Sequence, residues 1–345
     1  MPLDKPGLRV GVVGATGMVG RELLHVLDKT RLPIRELRPY SSGKTGKTVR
    51  FRGKTLAAPS LELEGLRSCD LVFFVSSDEV SKEHAPDLAR RGVWVIDDSS
   101  AFRLDPKVPL VIPEVNAHAL SKDRRLIAGP NCTMTPLAVA GNALHRSACV
   151  TEVRLATYQA VSGAGRAALE EFFRQTAGLG RLSAADRAPV LPKLAHSALP
   201  RPIACNVIPQ VGSFDAAGAS GEERKVAAEL RKVWDAPRLK VSVTAVRVPV
   251  VRGHSMSAWL TFKTPLSPGR ARKLLARSPG LVLHAEGDYP TPALVGGKAP
   301  VHAGRVRRGA TDRELCLWLS FDNLLKGAAL NSVQIAEELF RRGWL

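Results

Sequence analysis

Along the first 130 residues two hydrophobic patterns alternate. Leu8 to Val13 is a short β-branched run, and Gly14-Ala15-Thr16-Gly17-Met18-Val19-Gly20 follows it. Over residues 21–29, Leu23, Leu24 and Leu27 return at helical spacing. Leu71–Val75 and Val93–Ile96 read as further strands, with a helix over residues 81–91 between them. Continuous apolar strands separated by helices predict a parallel sheet covered on both faces.

From residue 150 the character changes. Val153–Val161, Leu239–Val248 and Ser257–Phe262 read as half-exposed strands of a mixed sheet, with helices over Arg166–Ala177 and Glu222–Trp234. Residues 180–220 are rich in Pro, Gly and Ala, which predicts a long surface excursion. The last segment, Gly327–Arg342, has the spacing of an amphipathic helix, with Ala328, Leu330, Val333, Ile335, Ala336 and Leu339 on its apolar side. A chain of 345 residues is comfortable for two domains. No internal repeat or low-complexity tract is present.

Charge widens the field before it narrows it. The formal net charge is +18, so the surface is basic. Nucleic acid, an anionic small molecule and a basic host proteome are all compatible with that. The basic residues are spread along the chain, however, and no nucleic-acid recognition motif accompanies them. Apolar runs such as Leu71–Val75 fall far short of the ~20 residues that a membrane helix needs. The start, MPLDKPGLRV, has no apolar stretch of a secretory signal. Five scattered cysteines with no CxxC pair argue against a disulfide framework and against a multi-cysteine zinc site, so no metal is expected. A cytoplasmic protein with reduced thiols is the expectation.

Two segments carry chemistry. In the first, Gly14, Gly17 and Gly20 stand between a strand and a helix. There glycine lets the backbone turn tightly and approach a pyrophosphate held on the helix N-terminus. After the second strand, read as ending near Glu36-Leu37-Arg38, the chain offers Ser41, Ser42, Lys44, Thr45 and Lys47. Hydroxyls and lysines suit a ribose 2′-phosphate better than a free 2′-OH, and Glu36 lies too early to hold the latter. NADP is therefore favoured over NAD.

In the second segment, Gly129-Pro130-Asn131-Cys132-Thr133, a cysteine follows a tight turn and precedes a helical run, Pro136 to Leu144. A helix N-terminus stabilises a thiolate and offers backbone donors to the oxyanion of a tetrahedral adduct. The other four cysteines lie in apolar or periodic surroundings and read as inert core thiols. A nucleophilic cysteine also needs an acid/base within reach. Among eight histidines, His254 stands out, at a glycine-flanked break in Arg247-Val248-Pro249-Val250-Val251-Arg252-Gly253-His254-Ser255. On position alone, a histidine at a strand end is more often structural.

The strings GATGMVG, SSAFR, GPNC, YQAVSGAG, EERK, RVPVVRGHS and DNLLKGAALNSVQIAE, in that order, resemble the aspartate-semialdehyde dehydrogenase family from about residue 8 to 343. The resemblance implies an α/β fold: a Rossmann-type dinucleotide-binding domain (1–131 with 323–345) and an α+β catalytic and dimerisation domain with a mixed sheet (132–322). It implies NADP, a small-molecule substrate (4-phospho-L-aspartate or L-aspartate 4-semialdehyde), phosphate, a homodimer, and a place in lysine, methionine and threonine biosynthesis. By the same resemblance Cys132 is the nucleophile and His254 the acid/base that takes the thiol proton. Gln159 orients the substrate, while Arg247 and Glu222 bind its amino-acid end. Arg103, Lys225 and Asn131 form the phosphate site. Gly14, Thr16, Gly17, Met18, Val19, Ser41, Lys44, Ser162, Gly163 and Asn323 contact NADP.

The chain departs from the family where an Arg-Ser pair usually follows the second strand: Gly43-Lys44 stands there, and lysine is a point charge without a bidentate fork. The nucleophile is followed by Thr133-Met134-Thr135, where the family more often has Ser/Thr-Thr. The nearest alternative of the same architecture, N-acetyl-γ-glutamyl-phosphate reductase, typically carries a Gly-Cys-Tyr-Pro turn, against Pro130-Asn131-Cys132 here. From a different class, the charge leaves a basic nucleic-acid-binding protein as the other alternative.

Overall fold

The computed structural model describes residues 7–41 and 47–345. In chain order the first elements are β1 (Leu8–Val13), α1 (Met18–Lys29), β2 (Ile34–Tyr40), β3 (Lys47–Phe51), β4 (Lys54–Ala58), α2 (Leu63–Arg67), β5 (Leu71–Phe74), α3 (Asp78–Arg90), β6 (Trp94–Asp97), α4 (Pro113–Asn116) and β7 (Leu126–Ala128). There follow α5 (Met134–Ala148), β8 (Val150–Gln159), α6 (Arg166–Gly180), α7 (Ala184–Val190), α8 (Gly221–Val233), β9 (Lys240–Arg247) and β10 (His254–Phe262). The chain ends with α9 (Pro268–Leu275), β11 (Leu281–Leu283), α10 (Pro292–Val295), β12 (Val301–Arg308), β13 (Glu314–Phe321) and α11 (Leu330–Arg341).

Contacts divide the chain into two compact units. One holds the residues up to Asn131 together with Lys232–Trp234 and Gly327–Leu345; the other holds Cys132–Arg231 and Asp235–Lys326.

The first unit is built on a parallel sheet in the order β2-β1-β5-β6-β7. Alternation along the strands covers both of its faces. Leu71 and Phe73 of β5, with Trp94 and Ile96 of β6, pack with Leu23, Leu24 and Leu27 of α1 and Val333, Ala336 and Leu339 of α11. Their neighbours Val72, Phe74 and Val95 turn to the opposite core, with Leu66 of α2 and Ala85 and Leu88 of α3. The strand order reverses between β1 and β5, and the crevice beyond the carboxyl ends of such a pair is where this architecture holds ligands.

The second unit carries a mixed sheet in the order β11-β12-β13-β10-β8-β9. Here β8–β9 and β11–β12 run parallel, and the other pairs antiparallel. Met256, Ala258, Leu260 and Phe262 of β10 are all buried, as are Leu315, Leu317, Leu319 and Phe321 of β13. Helix α5, buried along most of its length, packs beside β12 and β13.

Three expectations need correction. First, β2 continues past Arg38 through Pro39 to Tyr40, because it is the edge strand, where a residue without an N–H is tolerated. Second, residues 180–220 are not wholly a surface excursion. Leu199, Ile203, Ala204 and Ile208 are buried against Ala168, Phe172 and Leu179 of α6, and α7 lies within the stretch. Third, the cysteines outside the nucleophile turn are not all core thiols. Cys69 and Cys316 are buried, but Cys149 and Cys205 are exposed. Both exposed residues have positive φ, at 54° and 55°; Cys149 ends α5 as its C-cap, where the chain turns outward.

Candidate active site

The glycine loop needs its glycines. Gly14 has φ +85°, and a Cβ there would lie 2.5 Å from the carbonyl oxygen of Val75. A Cβ on Gly20 would lie 2.2 Å from the oxygen of Gly14. The amides of Gly14 and Ala15 both donate to the carbonyl of Tyr40, at 2.9 and 3.0 Å, which ties the loop to the end of β2. Helix α1 starts at Met18 with Gly17 as its N-cap, so its first amides face outward from the β1/β5 switch point. The hydroxyls of Thr16 and Ser41 lie 3.4 Å apart, so two of the expected cofactor contacts meet. Glu36, the one competing acid, accepts from Arg38 Nε at 2.6 Å, and that bond holds its carboxyl below the usual carboxylate range. Lys44 lies outside the described residues. In the same unit, Arg103 is buried and donates to the carbonyl of Asp98 at 2.6 Å; Asn131 is buried as well.

In the second unit Cys132 stands two residues before the first helical residue of α5, with Thr133 as N-cap. Its Sγ lies 4.0 Å from His254 Nε2 and 3.9 Å from Thr133 Oγ1. Thr133 Oγ1 donates to Glu222 Oε1 at 2.7 Å, and Gln159 Nε2 donates to the same oxygen at 3.2 Å. Arg247 Nη1 donates to the carbonyl of Ala160 at 2.9 Å and to Gln159 Oε1 at 3.4 Å. These six side chains therefore form one cluster, with Gln159 at the end of β8 and Arg247 at the end of its parallel neighbour β9, in direct register. Lys225 lies one turn beyond Glu222 on α8 and is half-buried.

His254 is fully buried at the start of β10, with its ring set edge-on to Phe321. Its Nδ1 accepts from the backbone N–H of Ala160 at 3.0 Å. An acceptor nitrogen carries no proton, so the neutral ring carries its proton on Nε2, the atom facing the thiol. Burial, and then the nearby Arg247 charge, hold the imidazolium well below its ordinary range. Burial also lowers Arg247, while attraction to Cys132 and Glu222 opposes that shift.

Gly163 fills the narrow space beside both groups. A Cβ there would lie 2.8 Å from Arg247 Nη1 and 3.1 Å from His254 Nε2. Ser162 and Asn323, two further expected cofactor contacts, bond to each other, and Asn323 Oδ1 also accepts from Gly253 N at 3.0 Å. Asp322, fully buried, accepts from Arg252 Nε at 2.6 Å and from the amide of Leu324 at 2.9 Å. The segment just before His254 is thus held from two sides.

Thr133, Ala160 and Asp322 were not singled out from the sequence. Thr133 had a signal, its place beside the nucleophile. Ala160 had none, because its contribution is a backbone N–H. Among the described residues no group of three or more His, Cys, Asp or Glu is placed to hold a metal ion, and no helix is long and apolar enough to cross a membrane.

This geometry belongs to a known family. Residues 9–123 match the semialdehyde dehydrogenase NAD binding domain, and residues 142–326 the semialdehyde dehydrogenase dimerisation domain. The chain is 39% identical to the aspartate-semialdehyde dehydrogenase of Aquifex aeolicus over 345 residues, covering 98% of this chain and 99% of that one. It is 42% identical to that of Streptomyces akiyoshiensis, covering 96% and 98%. The crystal structure of aspartate semialdehyde dehydrogenase II from Vibrio cholerae superposes with a TM-score of 0.92 at 36% identity, covering 97% and 99% of the two chains. The same Vibrio enzyme complexed with ASA gives 0.91. Matched in both units and over nearly its full length, the chain belongs to the aspartate-semialdehyde dehydrogenase family.

Proposed function

We propose that the protein catalyses the reversible, NADPH-dependent reductive dephosphorylation of 4-phospho-L-aspartate to L-aspartate 4-semialdehyde through a thioester on Cys132, in the biosynthesis of lysine, methionine and threonine. The observation that carries this reading is the Cys132–His254 pair at 4.0 Å beside the Glu222, Gln159 and Arg247 cluster.

The α5 N-terminus and the Arg247 charge both favour the thiolate of Cys132. The thiolate attacks the aldehyde carbon in the oxidative direction, or the acyl phosphate in the reductive one. His254 presents Nε2–H, so it donates: to the sulfur before attack and to the oxyanion after it. The family resemblance gave the ring the opposite task of taking the thiol proton. The Ala160 N–H on Nδ1 leaves the neutral ring no second lone pair for that, and the donor role is the one we assign. Arg247 suits the substrate carboxylate, and Glu222 suits its ammonium; Gln159, bonded to both, sets their spacing.

The Gly14 loop fits a dinucleotide, since its tight strand-to-helix turn leaves no room for side chains at Gly14 and Gly20, which would collide with the backbone of Val75 and of Gly14. Gly14, Thr16, Gly17, Met18, Val19 and Ser41 would hold it, with Lys44 at the 2′-phosphate and Ser162, Gly163 and Asn323 at its other end. When bound, the nicotinamide supplies or accepts the hydride. Arg103, Lys225 and Asn131 would take the phosphate. Dinucleotide binding falls to residues 1–131 with 323–345, and catalysis and dimerisation to 132–322. A homodimer is supported by the dimerisation-domain match and by the outer face of the mixed sheet, where Tyr158 and Trp318 lie with ring centroids 5.4 Å apart. A cytoplasmic location accords with this pathway.

The test is phosphate-dependent reduction of NADP⁺ by L-aspartate 4-semialdehyde, with Cys132→Ala alongside. Turnover in the wild type that vanishes in the variant is the expected result. A silent wild type that reduces NAD⁺, or turns over N-acetylglutamate semialdehyde, would leave the chemistry standing and overturn the cofactor or the substrate.

A further inference from the structure

At the amino ends of the strands of the parallel sheet, on the edge opposite the Gly14 loop, lies a cavity of about 480 Å³. That volume falls in the range of small-molecule sites. Its charge is one-sided. Arg9, Arg35, Arg67, Arg91 and Arg125 line it, against one lining aspartate, Asp70. Trp94 and Trp344 form an aromatic wall, with rings 4° from parallel and centroids 6.1 Å apart. The guanidinium of Arg125 lies over the Trp94 ring at 4.3 Å.

Part of this charge has a structural reason. Helix carboxyl ends favour cations, and Arg67 ends α2 while Arg91 caps α3. These two also have carboxylate partners: Glu64 and Asp87 for Arg67, and Asp87 for Arg91. The same account does not reach the other three. Arg9 and Arg35 stand near the starts of β1 and β2, and Arg125 just precedes β7. Asp70 is already engaged by the backbone N–H of Arg9 at 2.7 Å and lies 3.9 Å from its Nε. The Nε atoms of Arg9 and Arg67 are buried with no hydrogen-bond partner among the described residues. Unmatched buried donors are costly, and guanidinium forks match carboxylate and phosphate oxygens.

We propose that this cavity binds a small polyanion, a molecule carrying two or more carboxylate or phosphate groups. Arg9, Arg35 and Arg125 take its charges, and the half-buried Trp344, backed by the buried Trp94, meets its apolar part. The site goes beyond the catalytic reading and does not depend on it.

Calorimetric titration of the full-length protein with citrate and, separately, tripolyphosphate, at constant ionic strength, tests the proposal. The two ligands separate a carboxylate preference from a phosphate one. Saturable binding of either, one per chain, is expected. It should weaken at least tenfold in Arg35→Glu and in Arg125→Gln, with dehydrogenase turnover unchanged. Arg35 is exposed, so Arg35→Glu keeps the fold even if Arg125→Gln does not. Absence of saturable binding, or binding of equal strength in Arg35→Glu, overturns the proposal.

Discussion

The backbone N–H of Ala160 donates to Nδ1 of His254 at 3.0 Å, and this one bond decides which way a proton can move at the nucleophile. With Nδ1 occupied as an acceptor, Nε2 is a donor toward Cys132. A glutamine amide can mimic that donation, whereas alanine cannot. His254→Ala should lower kcat/KM by about 10²–10³, the usual effect of losing one oxyanion donor. His254→Gln should retain roughly ten times more activity than His254→Ala. Equal losses in the two variants would restore proton abstraction as the role of the ring.

The same burial makes a statement about stability. The folded-state value of His254 is depressed, so below about pH 6.5 the unfolded chain takes up a proton that the folded chain refuses. This group therefore withdraws stability as pH falls under 6.5 and has no effect well above it. Urea midpoints measured between pH 7.5 and about 5 should fall more steeply in the wild type than in His254→Gln. Parallel pH dependences in the two proteins would contradict the assignment.

Asp98 acts in the opposite sense. Its Oδ2 is buried, and desolvation pushes its carboxyl up to about 6, against the hydrogen bond from Ser332 at 2.5 Å. A raised carboxyl gives stability that is complete below the unfolded value near 3.9 and is lost as pH rises through 6. The loss above pH 6 is on the order of 3 kcal/mol. Asp98→Asn should be insensitive over that window, so its urea midpoint should gain on the wild type between pH 5 and 7. A constant gap between the two proteins would mean that Asp98 is ionised throughout.

Much of this was legible in the sequence where short apolar runs alternate with helical spacing. The strands β5 and β6 show as continuous apolar runs because both of their faces are covered, and the Gly14 loop and Cys132 turn are strings whose geometry admits few side chains. Less was legible where tertiary context decides. The β3–β4 hairpin turns on Arg52-Gly53, both at positive φ, with arginine where asparagine would have signalled the turn. β13 (Glu314–Phe321) did carry a strand signal, Leu315, Leu317, Leu319 and Phe321 at every second position, which the sequence reading left unused. The direction of the His254 hydrogen bond was invisible, because its partner is a peptide N–H that any residue but proline supplies.

Gly163 tests how tightly the cluster is set. A Cβ at 2.8 Å from Arg247 Nη1 and 3.1 Å from His254 Nε2 must displace one of them, and Arg247 is held by two acceptors. Gly163→Ala should cost about 10²-fold in kcat/KM, since displacement of about 1 Å in a catalytic group costs that much. Its melting temperature should stay within a few degrees of the wild type, because φ at this position is not in the left-handed region. Full activity in Gly163→Ala would show that the two groups have room to spare.

The proposed preference for NADP assigns the ribose 2′-phosphate to Lys44, which lies outside the described residues. Ser41 is buried beside Thr16, so the ribose end of the loop is polar, and Glu36 is withdrawn into its bond with Arg38. A lysine at the position of the family's arginine binds a 2′-phosphate as a point charge, which salt screens more readily than a bidentate fork. Lys44→Ala should lower kcat/KM for NADP⁺ about tenfold and leave that for NAD⁺ unchanged, and Lys44→Arg should strengthen the preference. The wild-type ratio of NADP⁺ to NAD⁺ efficiency should also shrink as ionic strength rises. If Lys44→Ala lowers both cofactors equally, Lys44 supports the loop as a whole, and the preference must be set by the hydroxyls of Ser41 and its neighbours.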